Sequence, residues 1–297
     1  MGLLHRQVGY GLLQGEGLEI GALHEPAVLS SECRVQYLDI ADEKTLQNNF
    51  RELDGQSITT PDWIGDIGLS PISDITGRTF DFVIMNHVLE HTANPIQVIK
   101  NIWQGIHPGG LFILSIPDKR FTFDNKRSLT TWEHLLADYH LEVADVHDDH
   151  YVDFLANVHP QVFDSKEAFI DAVRNVRNRH EHAHVWDSDS FDIFLSRTFK
   201  LLGKDFSTLY RCIGNNTNLE YFCVIGKPPC ISRDEILMKV LMGIWLERED
   251  LRNAFPDFAQ GNMSSLISWA SVAKEAGDSS AFIVNQYNNE LSNYYKS

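Results

Sequence analysis

Eight of the thirteen histidines fall in one stretch, at positions 134, 140, 147, 150, 159, 180, 182 and 184. Imidazole exchanges a proton near neutral pH and also ligates transition metals. The concentration therefore supports two chemistries. The first is general-base removal of a proton from a hydroxyl that is about to act as a nucleophile, with His150, His182 or His184 as the base. The second is a metal site, in which two histidines and a carboxylate take a transition ion, or Asp145, Asp148 and Asp149 take magnesium. A third reading is a hydrogen-bonded polar face beside a solvated acidic loop. If the segment His180-Glu181-His182-Ala183-His184 is extended, its three histidines share one face, because side chains alternate along a strand.

A second constellation lies near the N-terminus. Gly17-Leu18-Glu19-Ile20-Gly21 couples an apolar run to a glycine turn, and Asp39 follows eighteen positions after Gly21, at the end of the next apolar run. In an open α/β sheet this is the carboxyl edge where ligands bind, and a carboxylate so placed accepts hydrogen bonds from ribose hydroxyls. A dinucleotide fingerprint needs further glycines so that backbone can approach a pyrophosphate. Leu23 and Pro26 stand there instead, which disfavours a pyrophosphate. Trp63-Ile64-Gly65-Asp66-Ile67 offers an acid with an apolar neighbour, suited to an adenine.

Elements must hold these residues in place. Short apolar, β-branched runs alternate with helical patterns as far as about residue 229, the signature of βαβ units around a parallel sheet. Strands are expected at 18–20, 34–38, 80–85 and 111–115. Asn94-Pro95 caps and starts a helix that runs to about Gly105, and Pro108-Gly109-Gly110 turns the chain into the next strand. Residues 120–185 break the rhythm and read as an insertion over the sheet. A helix starting at Asp187 or Ser188 follows. The apolar stretches 206–213 and 219–225, separated by Gly214-Asn215-Asn216-Thr217-Asn218, predict an antiparallel hairpin that closes the sheet. Beyond Pro229 the pattern is helical, at 234–247, 264–276 and 282–295. The expected organisation is a domain over 1–229 and a helical extension or connector over 230–297.

Asp81-Phe82-Val83-Ile84-Met85-Asn86-His87-Val88-Leu89-Glu90-His91 completes the pattern. With Glu19-x-Gly21, Asp39, Asp66-Ile67 and Pro108-Gly109-Gly110, it resembles the class I S-adenosylmethionine-dependent methyltransferases, in the subgroup whose fourth strand reads D-x-V-x-x-x-H-V-L-E-H. The resemblance spans about residues 18–118. It implies a doubly wound, Rossmann-like, seven-stranded α/β sheet, with Glu19 and Gly21 on the methionyl side of the cofactor, Asp39 at the ribose, Asp66 and Ile67 at the adenine, and Asn86 with His87 near the sulfonium. S-adenosylmethionine carries no phosphate, so one glycine suffices where a dinucleotide would need three. Where the family usually has a second glycine in this loop, the sequence has Leu23. His91 reads as a structural histidine and Glu90 as a local cap or partner. Ile116-Pro117-Asp118-Lys119-Arg120-Phe121-Thr122-Phe123-Asp124, the helix around Thr131-Trp132-Glu133-His134 and His182-x-His184 look like methyltransferases that act with bacterial glycosyltransferases on surface polysaccharides. A sugar hydroxyl or other small hydroxylated acceptor is the implied substrate, and a glycosyltransferase the implied partner. Asp118-Lys119-Arg120 either holds that acceptor or forms a surface turn.

Bulk properties bound the alternatives. The 297 residues carry 41 acidic against 25 basic side chains, a formal charge of -16. Such a surface repels nucleic acid unless a basic patch is concentrated somewhere, and the short Arg174-x-x-Arg177-x-Arg179 run is the best local candidate. Four cysteines without C-x-x-C spacing suggest neither a disulfide framework nor a thiolate zinc site. The longest apolar runs fall far short of the roughly 20 residues of a membrane span, so a cytoplasmic location is expected. A nicotinamide-dependent oxidoreductase on a similar sheet, or a non-catalytic scaffold for a glycosyltransferase, are the competing readings.

Overall fold

The computed structural model describes residues 3–228, 249–254 and 256. The chain divides into two units, Met1–Pro229 and Cys230–Ser297. Of the second, the described part is a short helix, Glu249–Ala254; the helices expected at 234–247, 264–276 and 282–295 lie outside the described residues.

The first unit is built on seven strands: β1 (Gly15–Ile20), β2 (Cys33–Asp39), β3 (Trp63–Ile64), β4 (Phe80–Asn86), β5 (Ile106–Pro117), β6 (Ser207–Cys212) and β7 (Glu220–Gly226). They form one sheet in the order β3-β2-β1-β4-β5-β7-β6. The first five run parallel, and β7 is antiparallel to both β5 and β6. This is the doubly wound sheet with an antiparallel closing pair that the sequence implied. Two details differ. Pro108-Gly109-Gly110 lies within β5 rather than before it: Gly109 takes φ +80°, and the backbone there pairs with Lys227, so the motif is an irregularity in a longer strand. Residues 214–217 form one helical turn rather than an open loop, ended by Asn218 at φ +53°.

The helices of this unit are α1 (Leu4–Tyr10), α2 (Glu43–Asn49), α3 (Ile72–Thr76), α4 (Pro95–Gln104), α5 (Trp132–His140), α6 (Asp148–Val158), α7 (Lys166–Asn178), α8 (Ser188–Leu201) and the turn α9 (Gly214–Thr217). The Asn94 side chain accepts from the Gln97 N–H and Pro95 opens α4. Asp187 caps α8 through a reciprocal box with Ser190. Both helix starts were legible from their capping residues.

Period-two alternation gives the sheet two apolar faces. One carries Leu18, Ile20, Val83, Met85, Phe112 and Leu114 under α4 and α8. The other carries Phe82, Ile84, Ile113, Phe222 and Val224, covered by Tyr10 and Leu13 at the end of α1. The insertion between β5 and α8 holds its own small core of Tyr151, Phe154, Leu155 and Val176. It leaves and rejoins the sheet at one place: Asp118 and Trp186 form a parallel bridge, and the Lys119 N–H donates to the Trp186 carbonyl. Asp118, fully buried, accepts from the Ser188 N–H and hydroxyl and from Arg120. It is therefore a structural junction. The arginines of the basic run are each set against acids, Arg174 on Asp171, Arg177 on Asp148, and Arg179 on Glu52 and Glu181.

Candidate active site

A cavity of about 400 Å³ opens at the carboxyl ends of β1, β2 and β4 and is lined by Gly21, Leu23, Asp39, Asp66, Ile67, His87 and His91, among others. Its size is within the range of small-molecule sites. Gly21 has φ +69°, and a Cβ there would meet Val88 Cγ2 at 2.6 Å, so backbone conformation and space both require glycine. Leu23 takes φ +45°. It adopts the left-handed conformation that a glycine would adopt freely, at a cost of about 1–2 kcal/mol, and its carbonyl accepts the Thr59 N–H at 2.7 Å. Asp39 ends β2 with its carboxylate accepting from the Ile40 N–H at 2.7 Å, and burial pushes its carboxyl up to about 6. Asp66 accepts from the Gly68 N–H at 2.7 Å, while Ile67 beside it is buried in the core.

Glu19 and Asn86 do not line this cavity. Both Glu19 oxygens accept from the Ala27 N–H, at 3.0 and 3.1 Å, which ties β1 to the loop after it; burial pushes its carboxyl up to about 7. Asn86 donates to the Tyr10 hydroxyl at 2.9 Å and accepts from Ser115. His87, at φ +53°, lines the cavity and places Nε2 2.6 Å from Glu220. Glu220, the first residue of β7, also takes His5 at 2.5 Å and Arg6 at 2.7 and 2.5 Å. Burial alone would raise the Glu220 carboxyl, but hydrogen bonds from Arg6, His5 and His87 outweigh it and hold the group far below the usual range.

Next to the cavity wall is a buried acid–imidazole group. His182 Nδ1 donates to Asp124 Oδ2 at 2.6 Å, and Arg127 holds the other Asp124 oxygen at 2.9 Å. In the neutral ring the lone pair is then on Nε2, which lies 3.9 Å from Glu90 Oε1. The ring packs edge-on against His91, with centroids 4.7 Å apart. His91 in turn donates Nδ1–H to the His180 carbonyl. Neither Glu90 oxygen has a hydrogen-bond partner, although the residue is 1% exposed, and burial pushes its carboxyl up to about 7.

A family profile described as a methyltransferase domain matches residues 3–197, about two thirds of the chain. The chain belongs to the methyltransferase domain family. Solved structures with a similar fold include the N-methyltransferase NodS from Bradyrhizobium japonicum WM9 in complex with S-adenosyl-l-homocysteine, at 14% identity over 75% of this chain and 85% of that one, with a TM-score of 0.38. The CurJ carbon methyltransferase is 13% identical over 72% of this chain and 49% of that one, with a TM-score of 0.38. An O-methyltransferase family protein from Burkholderia thailandensis is 12% identical over 74% and 52%, with a TM-score of 0.36. The chain thus spans about half the length of the last two. No curated protein matches the sequence.

Within this methyltransferase domain, the cavity brings together Gly21, Asp39, Asp66, Ile67 and His87 of the expected site. It does not gather the three candidate bases. His180, His182 and His184 do not share a face: the left-handed turn at His180 and the donation of both the Ala183 and His184 N–H groups to the Glu90 carbonyl replace a strand with an irregular crossing. His182 joins Asp124 and Glu90, whereas His184 joins His134 and His150. Asp145 lines the cavity, but Asp148 pairs with Arg177, and Asp145, Asp148 and Asp149 are all exposed. Among the described residues they form no ligand cluster. Glu90 makes no side-chain hydrogen bond, but it pairs locally, with Oε1 3.7 Å from His91 Nε2. Glu220, Asp124 and the helix α1 were missed. An acid opening the apolar run Glu220–Gly226 was the available signal for the first.

Proposed function

We propose that this S-adenosylmethionine-dependent methyltransferase binds its cofactor in the cavity at the carboxyl ends of β1, β2 and β4, and methylates a hydroxyl of a sugar-like acceptor. The residues fit the cofactor. Asp39 presents a carboxylate at the end of β2 for the ribose hydroxyls, Asp66 and Ile67 pair an acceptor with an apolar surface for the adenine, and Gly21 and Leu23 add to the lining. When bound, the cofactor supplies an electrophilic methyl on a sulfonium whose charge disperses as the methyl leaves.

The chain's own contribution is to align the acceptor, exclude water and remove one proton. His182 Nε2, on a ring that packs against His91 of the cavity wall, would take the proton of the acceptor hydroxyl. The observation that carries this reading is the 2.6 Å pair of Asp124 and His182 beside the cavity wall. Asp124 fixes the tautomer and stabilises the imidazolium once formed, the arrangement that makes an imidazole an effective base. His150 and His184 have other neighbours and are not assigned this role. The insertion's likeness to polysaccharide-associated methyltransferases supports a glycan acceptor, or its precursor, made by a glycosyltransferase.

Incubation with isotope-labelled cofactor and a panel of hydroxylated glycans, read by mass spectrometry, tests the reading. An O-methylated sugar is expected. H182N should lower kcat by about 10²-fold or more with cofactor affinity unchanged. Methylation on nitrogen or carbon, or full turnover by H182N, overturns it.

A further inference from the structure

Outside the cavity, a second cluster gathers three imidazoles from three separate elements. His134 on α5, His150 at the third position of α6 and His184 before α8 each place a ring nitrogen within 4.8 Å of the other two. His134 Nε2 lies 3.1 Å from His150 Nε2. It lies 3.1 Å from Asp138 Oδ2 as well, yet that oxygen has no hydrogen-bond partner, so the two atoms are close without pointing at each other. Asp138 is one helical turn beyond His134 and thus on the same face of α5.

His184 is 1% exposed, and neither of its ring nitrogens makes a well-formed hydrogen bond, although the Ala93 backbone lies within interaction range of the ring. Leaving a buried donor or acceptor unmatched is costly. Here three such atoms, two on His184 and one on Asp138, occur in one cluster. His150 is already oriented: its Nδ1–H donates to the Ala183 carbonyl at 2.8 Å, which leaves Nε2 with its lone pair toward the cluster. Such an outer hydrogen bond is the usual means of aiming a histidine ligand.

From this geometry we infer that His134, His150 and His184 bind a zinc-class divalent ion, with Asp138 as the neighbouring carboxylate. Zinc–nitrogen bonds of about 2.0–2.1 Å in a tetrahedron separate the ligand atoms by roughly 3.3 Å, close to the 3.1 Å separations already present. Three imidazoles suit a borderline first-row ion rather than magnesium, which prefers oxygen. His134, with its side chain 42% exposed, gives the ion an entry route. Bound there, the ion cross-links α5, α6 and the segment before α8, fixing the insertion that carries His182. The site is distinct from Asp145, Asp148 and Asp149 and does not depend on which acceptor is methylated.

The test is metal analysis of the purified full chain after dialysis against metal-free buffer. About one zinc per chain is expected, or, after chelation, uptake of one zinc or cobalt with a rise in Tm and, for cobalt, the intense visible bands of a tetrahedral site. H150A and H184A should lose the metal and the zinc-dependent rise in Tm. Because H184A removes a buried ring and can misfold, H134A serves as the second variant: with an unchanged circular dichroism spectrum, it should weaken cobalt binding at least tenfold. H91A should retain the metal. Wild-type protein that neither holds nor takes up zinc or cobalt overturns the proposal. So does metal lost from H91A but kept by H150A, which would move the site to the Glu90, His91 and His182 group.

Discussion

Asp39→Ala is the sharpest perturbation of the proposed cofactor cavity. In the free protein the Asp39 carboxylate accepts from the Ile40 N–H and is pushed up to about 6 by burial. Hydrogen bonds to an ionised acceptor contribute about 1.5–3 kcal/mol each. Two ribose hydroxyls, offset by the remaining desolvation of the carboxylate, make the net contribution about 3 kcal/mol, or roughly a hundredfold in Kd. The same carboxyl gives affinity a pH dependence whose sign is fixed. Donation by the ribose favours the ionised form, so the cofactor binds more tightly as pH rises through about 6. At pH 5 only about a tenth of the free protein has Asp39 ionised, so wild-type affinity for S-adenosylhomocysteine should be roughly tenfold weaker than at pH 7. Titration calorimetry at pH 5, 6, 7 and 8 on wild type, D39A and D39N measures both effects, and D39N should show a nearly flat profile. Unchanged affinity in D39A, or a wild-type slope that survives in D39N, would refute the placement of the ribose.

Three further outcomes concern stability. E220Q removes the charge on which His5, Arg6 and His87 converge; breaking such a buried group costs about 3 kcal/mol, a fall in Tm of roughly 6–12 °C for a domain of this size. Because the folded Glu220 carboxyl is held below its unfolded value, its contribution is present above about pH 4.5 and fades on acidification, so the gap between E220Q and wild type should narrow in acid. Glu19 has the opposite sign. Its folded value of about 7 lies above the unfolded one, so wild type should lose about 2–3 kcal/mol between pH 4.5 and 8 relative to E19Q, as read by urea unfolding at several pH values. Gly17→Ala would drive a Cβ to 2.0 Å from Phe82 Cε2; overpacking of about 1–3 kcal/mol should appear as a lowered midpoint without a change in denaturant slope.

Sheet and cavity were legible because local signals and tertiary structure agree there. Leu18, Ile20, Val83 and Phe112 are apolar at strand spacing and lie in the sheet core, and Asn94-Pro95 and Asp187 announce their helices. Gly21, Asp39 and Asp66 sit at strand ends, where topology alone converges them. The insertion was not legible in the same way. His182 and His184 are two apart in sequence, and alternation would place them together, but the backbone is held by the Glu90 carbonyl and by Arg127, which donates to the carbonyls of His182 and Ala183. Partners such as Asp124, Glu90 and Asp138 are distant or unremarkable in the chain, and only packing reveals which imidazole each one meets. Leu23 is a case between the two. Its sequence signals a missing glycine, yet the loop keeps the left-handed turn regardless.

The bridge between Asp118 and Trp186 makes the whole excursion from β5 to α8 a loop with its ends clasped together. Closing a long loop grows costlier only as the logarithm of its length, and here the closure is made by backbone pairing and by the buried Asp118–Ser188 contact rather than by the loop's contents. An excursion of another length could therefore be closed at the same point for little extra cost. The clasp is a grafting point, at which the segment between residues 118 and 186 could be exchanged as a unit.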